Sequence, residues 1–105
     1  MFRESNATLT REEAEILMRI PKDNILVIGS DMKSKMVVFL IKNYLLHFKE
    51  VRVEGLGQAI NPICTAVKIL TDEQVLKIDK IETDLVEKPR HGPKITILIS
   101  KFLES

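Results

Sequence analysis

The stretch Val51-Arg52-Val53-Glu54-Gly55-Leu56-Gly57-Gln58-Ala59-Ile60-Asn61-Pro62 changes period part-way through, and that change organises the chain. Val51 to Glu54 alternates apolar and polar side chains, the pattern of a strand with one buried face. Gly55-Leu56-Gly57 interrupts it as a turn. Asn61-Pro62 then reads as a helix start, with Asn at the N-cap and Pro at the first helical position, where its missing N–H costs nothing. Ile63, Val67 and Leu70 give that helix an apolar face that fades near Asp72.

The same alternation of elements continues outward. Upstream, Ile25-Leu26-Val27-Ile28 is apolar on both faces and closed by Gly29, as expected of a central strand. Ser30 or Asp31 can cap the helix that follows, from about Lys33 to Phe48. Its apolar spacing through Leu40, Ile41, Tyr44, Leu45 and Phe48 is too long for a strand. Downstream, Val75 to Val86 alternates but changes phase, with Leu76 and Ile78 on one parity and Ile81, Thr83 and Leu85 on the other. A bulge near Asp79-Lys80 reconciles the two. Glu87 to Pro93, with Pro89, Gly92 and Pro93, forms a hairpin loop, and Lys94 to Phe102 the last strand. The order β-α-β-α-β-β calls for right-handed crossovers in the two early units and a long antiparallel hairpin at the end. The expected fold is α/β, a small two-layer sandwich whose four-stranded mixed sheet carries both helices on one face.

Residues 1–22 read as an N-terminal extension and 23–105 as the domain. Within the extension, Thr10-Arg11-Glu12-Glu13 matches a capping box, and Ala14, Leu17 and Met18 line one side of a short helix that must stop before Pro21.

Composition narrows the function. The 105 residues suit one domain. Sixteen Lys and Arg against 15 Asp and Glu leave a formal charge of +1, and the pI of about 7.9 lies below the value of about 9 expected where bulk charge drives nucleic-acid binding. Charge alone names no partner. The longest apolar run, Met36 to Ile41, is far short of a membrane span, and Met1 to Ser5 lacks the apolar stretch of a signal peptide. A single cysteine, Cys64, cannot form an internal disulfide, so an intracellular compartment, cytoplasm or nucleus, is the expectation. Its place beside Ile63 suggests a buried, inert thiol.

Catalysis finds little support in the side chains. His47 and His91 are far apart, with no metal-ligand spacing, and no cofactor is expected. Asp79, Glu82 and Asp84 read as solvated strand charges rather than an acid/base pair. Gly55-Leu56-Gly57 lacks the third glycine of a dinucleotide fingerprint and the lysine of a phosphate loop. Binding has more to work with. The loop after the first strand carries Ser30, Lys33, Ser34 and Lys35; the turn before the second helix carries Gly57, Gln58 and Asn61; the hairpin carries Lys88, Arg90, His91 and Lys94, opposed only by Glu87. In the expected topology the first two loops share the carboxyl edge of their strands, above helix N-termini that favour anions.

Ile28-Gly29, followed 28 residues later by Gly57 of Gly55-Leu56-Gly57-Gln58-Ala59-Ile60-Asn61, resembles the Alba family, over roughly residues 23 to 102. The resemblance implies this element order, dimerisation, and binding of DNA or RNA without catalysis. Family members often carry two lysines directly after the first glycine, where Ser30 and Asp31 stand here. The archaeal form has arginines flanking the second glycine, where this chain has Leu56 and Gln58. Each lost phosphate contact removes up to about one released counterion, so duplex binding should weaken and its salt dependence flatten. The form Gly-Leu-Gly-x-Ala-Ile-Asn is similar also to eukaryotic Alba-type proteins, including the smaller Alba subunits of RNase P and RNase MRP. That tilts the expectation toward RNA, with a homodimer or a heterodimer with another Alba-type protein. An assembly subunit of a ribonucleoprotein, touching nucleic acid little, is the alternative. The expected contacts are Ser30, Lys33, Lys35, Gly57, Gln58, Asn61, Lys88, Arg90, His91 and Lys94, with Ile63, Val67 and Leu98 as dimer surface.

Overall fold

The computed structural model describes residues 20–86 and 92–102, together with Arg11 and Glu15. Within them lie β1 (Ile25–Ile28), α1 (Ser34–His47), β2 (Glu50–Leu56), a short 3-10 turn (Gly57–Ala59), α2 (Ile60–Asp72), β3 (Leu76–Val86) and β4 (Gly92–Lys101). The sheet order is β1-β2-β4-β3. β1 runs parallel to β2, and β4 runs antiparallel to both of its neighbours. Both helices contribute to one core against one face of the sheet, the two-layer α/β sandwich that the sequence implies.

One placement differs from expectation. Among the described residues β1 is an edge strand, because β4 returns from the hairpin into the slot beside β2 and leaves β1 a single neighbour. Leu26 and Ile28 face the helices and are buried, whereas Ile25 and Val27 are 41% and 65% exposed on the open face. The strand is pinned where it begins: Asp23 Oδ1 accepts from the Ile25 N–H at 3.1 Å, and Asn24 Nδ2 donates to the Glu50 carbonyl at 3.1 Å.

Both helix starts also differ. Gly29 to Met32 forms a turn, with the Met32 N–H on the Gly29 carbonyl at 3.2 Å. The N-cap of α1 therefore falls on Lys33, with no side-chain cap, rather than on Ser30 or Asp31. The 3-10 turn leads straight into α2, so Ala59 takes its N-cap position. Asn61 and Pro62 become the second and third helical residues instead of N-cap and first. Proline is tolerated there because the N–H groups of a first turn have no intrahelical acceptor.

The bulge is where the change of phase places it, between Ile78 and Lys80. Ser100 Oγ lies 3.3 Å from Asp79 Oδ1 as its donor. Ile78 and Ile81 pair with Ile99 and Ile97, so the bulge returns both to the helix side. Gly92 and Pro93 belong to β4 rather than to a loop.

The core joins Val37, Ile41 and Leu45 of α1 and Ile63, Ala66, Val67 and Leu70 of α2 to Val51, Val53, Ile95, Ile97 and Ile99 of the sheet. Ile63 and Val67, expected as dimer surface, are consumed by this core. Leu98 pairs with Arg52 and Lys80 on the opposite, open face and is half-buried. The three residues therefore cannot form one surface. Cys64, expected to be buried, is exposed on α2: one position past Ile63, it is turned away from the sheet by the helical rotation.

Candidate nucleic-acid interface

The carboxyl ends of β1 and β2 lie side by side, with Ile28 in register with Gly55. Both strands leave the sheet there and lead to a helix, which brings Gly29-Ser30 next to Leu56-Gly57-Gln58. β4 begins its pairing at the same edge, with Lys94 opposite Leu56. Two glycines make this edge possible. Gly57 has φ +55, a backbone conformation that costs other residues about 1–2 kcal/mol. At Gly55 a Cβ would run into the Ile63 side chain and stand 3.0 Å from that of Ala59.

The result is an open cleft of about 560 Å³, lined among the described residues by Val27, Ile28, Gly29, Ser30, Glu54, Gly55, Leu56, Gly57, Gln58 and Lys94. Four of the ten expected contact residues, Ser30, Gly57, Gln58 and Lys94, meet in it. Lys33 and Asn61 are exposed beside it at the starts of α1 and α2, and Lys35 follows one residue into α1. Lys88, Arg90 and His91 lie outside the described residues. Neither helix has a side-chain cap or an acidic residue in its first turn, so both N-termini keep their attraction for anions.

Charge in the cleft is mixed. Glu54, two residues after Arg52 and therefore on the same face, accepts from Arg52 Nε at Oε2, 2.7 Å away. Lys94 Nζ stands 3.8 Å from Oε1 of the same carboxylate. Further along the open face Lys80 and Glu82 pair at 2.9 Å, and the hydrogen bond and charge of Lys80 hold the Glu82 carboxyl below its ordinary range. Glu54 escaped notice as a site residue in the sequence, where it is one polar position of an alternating strand. The signal for it was the register that sets it beside Val27.

Among solved structures, the fold is similar to ALBA1 from Trypanosoma brucei, with a TM-score of 0.67 and 30% sequence identity over 80% of this chain and 73% of that one. The chain belongs to the Alba family. Alba from Thermoplasma volcanium superposes with a TM-score of 0.63 at 15% identity, covering 74% of this chain and all of that one, a likeness of fold. No protein-family model and no curated protein sequence matches the chain. Ser30, Leu56 and Gln58, three of the four positions where the resemblance to the Alba family leads one to expect basic residues, line this cleft. Among the described residues of this Alba chain, no helix is long and apolar enough to cross a membrane.

Proposed function

We propose that this Alba-type chain is a non-catalytic nucleic-acid-binding protein that prefers RNA to DNA and acts as a dimer. One observation carries the reading: two uncapped helix N-termini follow the strand ends where Ser30, Gly57, Gln58 and Lys94 line one cleft, with Lys33 and Lys35 at the start of α1. Backbone N–H groups and lysines suit phosphates, and the glycines allow close approach. The preference for RNA is supported by the modest net charge of +1, since shape and 2′-OH contacts count for more in RNA than bulk charge does.

Titration of a structured RNA and a duplex DNA at two salt concentrations tests this. RNA should bind below micromolar Kd at low salt and more tightly than DNA. Changing Lys33 and Lys35 together to Ala should lower affinity and reduce the salt slope by about two. An unchanged slope removes both lysines from the interface. If neither nucleic acid binds below micromolar Kd, the chain is instead an assembly subunit that leaves direct contact to its partner.

The dimer surface we propose is the outer part of β3. Leu76 is buried under the helices, but Ile78, Ile81 and Leu85, on the same face further along, are 40%, 53% and 66% exposed. A row of large aliphatic side chains on an uncovered edge strand marks an interaction surface.

A further inference from the structure

The cleft at the ends of β1 and β2 contains features that a phosphate site does not need. Val27 and Leu56 expose aliphatic surface within it. Glu54 contributes a carboxylate, which repels a phosphodiester. A nucleobase, by contrast, offers an apolar face and an edge of N–H groups, and both halves of the cleft suit it. The volume, about 560 Å³, falls within the ~300–1,000 Å³ range of small-ligand sites.

The polar groups narrow the choice of base. Arg52 Nε occupies Glu54 Oε2 at 2.7 Å. Lys94 Nζ, 3.8 Å from Oε1, is beyond hydrogen-bond length, so Oε1 keeps its lone pairs. Acceptor and ammonium donor therefore stand side by side. Guanine has the complementary Watson–Crick edge: adjacent donors at N1 and N2, then an acceptor at O6. Uracil offers the carboxylate only N3–H, with its O2 carbonyl where guanine has the second donor, while adenine and cytosine place an acceptor nitrogen beside a single amino group. Because that edge is occupied in a duplex, the base must be unpaired.

We propose that this cleft holds one unpaired guanine of a single-stranded segment, packed against Val27 and Leu56. Glu54 accepts from N1–H and N2–H, and Lys94 donates to O6. This rests on the nucleic-acid-binding reading of the same edge.

The test is fluorescence anisotropy of the full chain with three labelled RNAs of about twelve nucleotides, a length that spans a single-strand site. One is all uracil, one has a single central guanine, and one has inosine there, which lacks only the 2-amino group. Guanine should bind about tenfold or more tighter than all-uracil, with inosine between. Glu54→Gln, which sets an amide N–H₂ against the guanine donors, should bind the guanine and uracil probes alike. Equal binding of guanine and uracil by the unaltered chain overturns the guanine site while leaving nucleic-acid binding intact. Equal binding of inosine and guanine overturns the two-donor geometry without relying on any variant. Failure of all three to bind at low salt defeats the underlying reading instead.

Discussion

At the residue scale, the two glycines that frame the cleft act for different reasons. Gly57 supplies a backbone angle, and Gly55 supplies space. Gly55 lies on the helix side of β2, against Ile63 and Ala59, where α2 begins. Gly55→Ala should cost about 1–3 kcal/mol through overpacking. Thermal melting should show this as a Tm lower by several degrees, and an unchanged Tm would mean that the start of α2 yields freely. The sequence marks both glycines as turn residues. Only the first assignment needs revision, since Gly55 sits inside β2 and the turn begins at Gly57. Periodicity cannot detect a glycine required by a neighbour eight residues away, because the contact exists only after α2 has folded back on the strand.

At the element scale, the end of α2 is a Schellman motif. The Val75 N–H reaches the Leu70 carbonyl at 2.9 Å and the Gln74 N–H the Thr71 carbonyl at 3.0 Å. Half-buried Val75 packs against the core that contains Leu70, the hydrophobic contact that accompanies this motif. The left-handed residue is Gln74, φ 62, where glycine is the usual occupant. Gln74→Gly should therefore stabilise the fold by about 0.5–1 kcal/mol, the left-handed penalty outweighing the entropy added to the unfolded chain. Thermal melting measures it, and an equal or lower Tm refutes it. The element itself was legible, since α2 fades near Asp72 in the sequence and ends there in the structure. Its start was less legible, because Asn-Pro is a strong local cap signal that the preceding 3-10 turn overrides. α1, whose apolar spacing persists for four turns, lies within a residue of its expected limits at each end.

At the scale of the whole molecule, the sheet leaves apolar surface at both edges, and the proposed dimer uses the β3 edge. Changing Ile81 and Leu85 together to Glu should convert a species of twice the 12.0 kDa chain mass into a monomer in sedimentation. Both residues are more than half exposed, so the fold should survive. A wild-type chain that sediments as a monomer at micromolar concentration would remove the homodimer. The surface expected from the sequence relied on Ile63 and Val67 of α2, which this helix spends on its own core. Ile63, Val67 and Leu70 are the residues that periodicity highlights, and what periodicity highlights first is the intramolecular contact.

By itself the sequence determined the order and kind of the elements, the bulge in β3 and the approach of the two glycine loops at one sheet edge. These follow from side-chain period, from breakers and from short-range sterics, all of which act along the chain. The tertiary structure alone decided which strand is central, which apolar residues remain for a partner, and that Glu54 joins Val27, Leu56 and Lys94 in one cleft. Each depends on β4 inserting between β2 and β3. A long-range pairing of this kind leaves no periodic trace in the residues it unites.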